Sequence, residues 1–320
     1  MLLLAAVAPL ILAVLAGALF GALELFPAPE AAIAALNRLC LYLAFPALIF
    51  AGVYEADLAL AAAPGFVAAS LLPSLTLLGL VAVLTRGVEP EARAALGLGS
   101  MLGNIAYLGI PISAALVGPQ AVGLASVSAA LHVVLSIPLG SWVLLRWGRA
   151  GHPSTGDDKD TSHPLAAIVR QPLVWAPIVA VLAQLLVPPA WVAPLIPPAK
   201  WIGAAASPVA LVMIGLYLHT HRRELVRLRW TDAGLIAGKL VVLPALAFGF
   251  VSLGLARGWL ELDAAKVAVV QAAMPTAITA FALAEEYGVG RAPLVRGIVA
   301  GTVVFLAGFW AIAPILRLLG

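Results

Sequence analysis

The sequence predicts an all-α, polytopic membrane protein of ten transmembrane helices in two inverted five-helix repeats, and three observations predict it. Of 320 residues, 63% are hydrophobic and 10% charged, where a soluble domain is about a quarter charged. A chain with so few charges cannot clothe a core of this size in a polar shell, and its mean hydropathy is +1.08. The apolar residues fall into ten runs, most of them close to the roughly 20 residues that a helix needs to cross a 30 Å hydrocarbon layer. A polar stretch, Gly148 to Pro164, divides the runs five and five.

In order, the runs cover about 2 to 25, 31 to 54, 61 to 84, 92 to 117, 121 to 147, 165 to 187, 191 to 218, 231 to 256, 262 to 286 and 292 to 317. The first is apolar from Leu2 onward with no Lys or Arg before Arg38, so a retained span is expected rather than a cleaved signal peptide. Pro46, Pro73, Pro111, Pro138, Pro208, Pro244 and Pro275 lie inside runs and mark kinked or interrupted helices packed within protein. Gly151, Pro153, Ser154, Gly156, Asp157, Asp158, Lys159 and Asp160 make the dividing stretch a flexible linker. The domains expected are a first repeat at 1–147, a linker at 148–164 and a second repeat at 165–320.

Orientation follows from the basic residues. With the odd-numbered loops in the cytoplasm, that side holds Arg38, Arg86, Arg93, Arg146, Arg149, Lys159, Arg170, Arg222, Arg223, Arg227, Arg229, Arg291 and Arg296. The other side keeps Lys200, Arg257, Lys266 and Arg317. The positive-inside rule then makes the linker cytoplasmic and places both termini outside, in a multi-pass protein of the cell membrane. The same distribution accounts for the pI near 9.2 without a nucleic-acid partner. Cys40, the single cysteine, permits no intramolecular disulfide and no thiolate metal cluster, and reads as a small buried hydrophobe.

Five spans per half force the second half to enter the membrane inverted. Pro46 then corresponds to Pro208, Pro73 to Pro244 and Asn104 to Pro275, an arrangement typical of secondary transporters. Spans four and nine each place a breaker and polar residues near mid-span: Gly103, Asn104, Ile105 and Pro111 in one, Gln271, Met274, Pro275, Thr276 and Thr279 in the other. A broken helix exposes backbone groups that hydrocarbon cannot satisfy, so such a break lines a cavity, and the start of its second half carries partial positive charge suited to a carboxylate. Lys239 lies about 12 Å inside span eight at 1.5 Å per residue and joins this candidate substrate site, either as a contact or through a structural hydrogen bond. His132 in span five reads as a satisfied interior histidine.

Glu55, Asp57, Glu261, Asp263, Glu285 and Glu286 all lie near span ends, which disfavours a carboxylate-centred proton or sodium relay. Electrogenic uniport is the expected coupling, with a sodium- or proton-coupled symporter of the same fold as the alternative, sodium binding through carbonyl and amide oxygens. No cofactor is otherwise called for. Gly17/Gly21, Gly99/Gly103, Gly234/Gly238 and Gly297/Gly301 license close helix approach. Zinc-protease, serine-hydrolase and Walker A motifs are absent, so neither an enzyme nor an ATP-driven pump is expected.

Four stretches carry a resemblance. Asn37-Arg38 through Phe45-Pro46-Ala47-Leu48, Gly103-Asn104 through Gly109-Ile110-Pro111, Lys239-Leu240 through Pro244, and Val270-Gln271-Ala272-Ala273-Met274-Pro275 through Glu285-Glu286-Tyr287-Gly288 resemble the auxin efflux carrier family, which includes plant PIN-type carriers and bacterial relatives associated with malate and malonate. The resemblance implies a scaffold of spans one, two, six and seven, a mobile transport domain of the other six, crossed spans four and nine at a small organic anion, elevator-type alternating access and often a homodimer. Bile-acid sodium symporters are similar in fold. Two departures stand out: the long cytoplasmic loop of plant carriers is reduced to 148–164, and span three lacks their ionisable groups. The competing class is a ligand-sensing receptor or channel that binds without turnover.

Overall fold

The structure is a computed structural model that describes residues 2–56, 59, 63–148 and 172–320. Most of the expected cytoplasmic linker, with Arg149 and Lys159, lies outside the described residues, as do Arg170 and Asp57. Among the described residues the chain is helical, with one isolated antiparallel bridge, Gly103 to Thr276. Six helical runs are long and apolar enough to cross a membrane: Pro29–Tyr54, Pro64–Leu84, Ala121–Gly148, Pro189–Thr220, Trp230–Ala256 and Arg291–Arg317. Ala8–Ala22, Ile105–Leu116 and Trp175–Leu186 are shorter apolar helices. A polytopic membrane protein follows.

The first half comprises α1 (Leu2–Ala22), α2 (Pro29–Leu39), α3 (Phe45–Tyr54), α4 (Pro64–Leu84), α5 (Pro90–Met101), α6 (Ile110–Leu116) and α7 (Ala121–Val143). The second comprises α8 (Pro172–Leu186), α9 (Pro189–Val192), α10 (Ile196–Ala204), α11 (Ala206–Thr220), α12 (Trp230–Ala237), α13 (Leu243–Ala256), α14 (Leu262–Ala272), α15 (Ile278–Tyr287), α16 (Arg291–Gly308) and α17 (Ile312–Arg317).

The prolines act in two ways. Pro73 and Pro138 sit inside uninterrupted α-helices. Pro46, Pro111 and Pro244 each follow a five-residue π-helical segment, Cys40–Ala44, Ile105–Gly109 and Gly238–Val242. A proline ring collides with the carbonyl four residues back and offers it no N–H. Those carbonyls belong to Tyr42, Tyr107 and Leu240, all within the π segments, where widening the turn by one residue relieves the clash.

Packing gathers α1, α2, α3, α8, α10 and α11 on one another, with α1 against α11 the most extensive pair and α8 and α10 both against α3. The first helix of each half thus lies on the second span of the other half. At the α1–α11 crossing a Cβ on Gly17 would strike the Val212 carbonyl, and one on Gly215 would strike the Val14 carbonyl, so the backbones touch with no side chain between them. The remaining helices form their own cluster, α4 with α5, α13 and α14, α7 with α5, α6 and α14, and α16 with α12 and α15. The two sets meet chiefly where α3 and α8 lie on α7 and α1 on α6.

One buried ion pair ties the second cluster together. Arg296 Nε on α16 donates to Asp232 Oδ2 at 2.6 Å, with side chains 7% and 1% exposed. The same carboxylate oxygen accepts the Arg229 backbone N–H at 2.8 Å, so Asp232 caps α12 and docks α16 in one contact.

Candidate functional site

The fourth and ninth apolar runs are both broken at mid-length. Glu89 caps α5 by accepting the Glu91 and Ala92 N–H groups at 3.1 Å, and the helix runs to Met101. Leu102 then turns extended, at φ −87° and ψ 93°. Gly103 and Asn104 are poor helix formers, one for its backbone freedom and the other because its amide competes for backbone groups. In the ninth run α14 ends at Ala272, ahead of Pro275, which has no N–H to extend it.

The two breaks cross antiparallel and satisfy each other. Asn104 N–H donates to the Pro275 carbonyl at 2.7 Å, and Ala277 N–H donates to the Leu102 carbonyl at 2.9 Å. Orphan carbonyls at the end of α5 find side chains: Thr276 Oγ1 donates to Gly99 at 3.3 Å and Lys239 Nζ to Ser100 at 3.4 Å. Asn104 and Pro275, paired as landmarks in the sequence, are therefore hydrogen-bonded to one another.

A cavity of about 170 Å³ opens on one side of this crossing. Its wall includes the first residues of both second half-helices, Ile105, Ala106 and Tyr107 on one and Ala277, Ile278 and Thr279 on the other. First-turn N–H groups of a helix have no intrahelical acceptor, so both starts present donors here. His132, Val133 and Ile137 of α7 line another side, and Asn37 of α2 and Leu41 after it close the cavity from the opposite helix set. Asn104 is 3% exposed and its Nδ2 has no hydrogen-bond partner among the described residues. A buried, unpaired amide costs about 1–3 kcal/mol.

Tyr107 spans the boundary between the helix sets. Its hydroxyl donates to Asn37 Oδ1 at 2.7 Å, and its ring stacks on Phe45 with centroids 4.7 Å apart. His132 is held from two sides, with Nδ1 donating to the Ser128 carbonyl at 2.9 Å and Nε2 lying 3.4 Å from Ser74 Oγ.

Of the residues expected at the site, Gly103, Asn104, Ile105 and Thr279 line the cavity. Pro275 and Thr276 build the crossing behind it, Met274 is fully buried, and Pro111 belongs to α6, off the wall. Gln271 is 2% exposed, packs against Gly109, and has neither amide atom partnered. Lys239 is 3% exposed and does not line the cavity. It lies directly behind Gly103, where a Cβ would stand 2.9 Å from its Nζ. Asn37 and Tyr107 were not singled out, although both sit in stretches that carry the family resemblance, and His132 had been read as an ordinary interior group.

Known proteins match the chain over most of its length. The sequence profile of the family described as "Membrane transport protein" matches residues 2–309. An "Uncharacterized transporter" of Methanothermobacter thermautotrophicus is 29% identical over 260 residues, 78% of each chain. The "Uncharacterized transporter YfdV" of Escherichia coli K12 is 26% identical over 330 residues, covering 96% of this chain and 94% of the relative. The chain belongs to the membrane transport protein family, the auxin efflux carrier type that its motifs resemble, and is a multi-pass transporter rather than an enzyme.

Proposed function

We propose that this protein is a secondary carrier of small organic anions that works by an elevator-type cycle. The observation that carries the reading is the unpartnered Asn104 amide, set between two half-helix starts at the cavity. Three sets of donors converge there on one small volume with no protein carboxylate to receive them, and a substrate carboxylate is the complementary group. Met101, Leu102, Ile105, Ile137, Ile278 and Leu283 make much of the remaining wall apolar. An apolar cavity of about 150 Å³ accepts benzene, so the substrate class favoured is a compact monocarboxylate with an apolar body.

The cycle proposed has ten spans in two inverted repeats. Spans one, two, six and seven serve as scaffold, and spans three, four, five, eight, nine and ten move with the substrate. Support comes from the separate packing of the two helix sets, the exchange of first helices between halves and a cavity walled from both sets. The proposed orientation has the 148–164 linker in the cytoplasm and both termini outside. A cysteine at Ser154 in a Cys40→Ala background is expected to resist an impermeant thiol reagent on intact cells, and ready labelling would reverse the sidedness.

The test of function is a solid-supported-membrane and thermal-shift screen of benzoate, phenylacetate, malonate and malate, with and without sodium. Saturable currents or counterflow with a monocarboxylate are expected. Binding without flux would convert the reading to a receptor, and preference for malonate would overturn the apolar-body assignment. A sodium-coupled symporter of the same fold is the second reading, favoured by Gln271 Oε1, a buried carbonyl oxygen with no hydrogen-bond partner among the described residues. Flux that needs sodium would select it.

A further inference from the structure

We propose that Lys239 takes up one proton when the anion binds and gives it back when the anion leaves, so that the carrier moves anion and proton together. This rests on the anion-carrier reading above and adds the coupling that the reading lacks.

The geometry is specific. Lys239 sits in the π-helical segment Gly238–Val242, and its Nζ makes one hydrogen bond among the described residues, to the Ser100 carbonyl at 3.4 Å. No ion pair of the described residues includes it. Among the described residues, none of the neighbouring helices α4, α5, α7, α12 and α13 supplies it with a counter-ion. On α5 the charged residues are Glu91 and Arg93, the nearer of them seven residues from Ser100, on the order of 10 Å at 1.5 Å per residue. On α12 the one carboxylate, Asp232, is committed to Arg296. Helices α4 and α13 carry no ionisable side chain, and α7 offers only His132, whose Nδ1–H is already given to Ser128.

An ammonium without a counter-charge is costly in a dry interior. No described residue provides the counter-charge, and the substrate can. Gly103 lines the cavity and lies against the amine, where a Cβ would stand 2.9 Å from Nζ, so it places no side chain of its own between the two. With a carboxylate in the cavity the ammonium is compensated.

The step balances. A proton from the water that delivers the anion adds to the Nζ lone pair, giving –NH₃⁺. After the mobile helices cross, the carboxylate departs and the proton passes to water on the far side, restoring –NH₂ for the return. A monoanion and a proton carry no net charge, so the cycle is driven by the pH gradient instead of by voltage as in electrogenic uniport. Anion and proton strengthen each other's binding by the same factor, and anion affinity falls by at most about tenfold per pH unit as the pH rises through the linked range.

The experiment is calorimetric titration of the purified full-length protein with benzoate, and in parallel with malonate, between pH 6 and 9 in buffers of differing ionisation enthalpy. Benzoate is ionised throughout this range, so any proton taken up is the protein's. Uptake approaching about one proton per benzoate is expected. Lys239→Arg, permanently charged, is expected to bind with no uptake and no pH dependence, and Lys239→Met to bind weakly with no uptake. Melting of the empty variants checks their folding, while the wild-type proton count stands without them. Saturable binding with no proton uptake at any pH overturns the inference alone. Uptake that persists in Lys239→Met overturns it in favour of another group, with His132→Asn as the check. No saturable binding of either anion overturns the anion reading itself, and this inference with it.

Discussion

Arg296 and Lys239 are both buried basic residues of the second half, and they live in opposite circumstances. Arg296 has a carboxylate at 2.6 Å that is itself anchored to the start of α12, whereas Lys239 has one carbonyl at 3.4 Å. The first is complete within the protein. On the proposal above, the second is completed by an anion in the cavity beyond Gly103. A buried charge with its partner built in would then hold structure, and one whose partner arrives from outside would report on a ligand.

The comparison breaks most sharply at the first cation. Arg296→Leu leaves Asp232 buried and unpaired, a loss of about 3–5 kcal/mol, so the expected outcome is a large drop in melting temperature or loss of folded protein in detergent. A stable variant that merely fails to bind anion would reverse the two roles. Lys239→Met should behave oppositely, melting at or above wild type because an apolar chain replaces an uncompensated one, while benzoate affinity falls by tenfold or more, the equivalent of about 1.4 kcal/mol.

Smaller effects sharpen the picture around the cavity. Asn104→Ala removes a side-chain donor and leaves the backbone crossing intact. Affinity should drop roughly fivefold to tenfold, as for an ordinary hydrogen bond of about 1–1.5 kcal/mol, with melting of the empty protein near normal. Unchanged titration curves would take Asn104 out of the site. Tyr107→Phe deletes the bond to Asn37 and keeps the stack on Phe45. A loss of about 1 kcal/mol from one arrangement of the two helix sets should change transport rate several-fold while binding moves less, measured as counterflow against calorimetric affinity.

Much of the fold was legible because its signals are local. Apolar run length, the polar divide after Trp147 and the breakers at Gly103-Asn104 and Pro275 each act within a few residues, and the breaks stand where those residues stand. The π segments before Pro46, Pro111 and Pro244 were not legible, since a proline in a run signals disturbance but not its form, and Pro73 and Pro138 are absorbed without one. The cavity wall was legible in part. Asn104 and Thr279 belong to the breaks and could be named. Asn37 reaches Tyr107 across 70 positions of sequence, a meeting set by how the helix sets pack. Lys239 was singled out from its depth, but whether it points into the cavity or behind it depends on a neighbour, Gly103, in the break of another span.

The crossing itself is made by main-chain atoms, Asn104 N–H to the Pro275 carbonyl and Ala277 N–H to the Leu102 carbonyl. Most side-chain substitutions leave those atoms in place. The frame that brings two half-helices to one point is therefore insulated from mutation, while the residues projecting from it toward the cavity are free to change. With the cargo held as proposed, a gene with this frame can drift from one cargo to another by single exchanges at Asn104, Ile105, Tyr107 or Thr279 without passing through an unfolded intermediate, so cargo range among such proteins should evolve faster than their architecture.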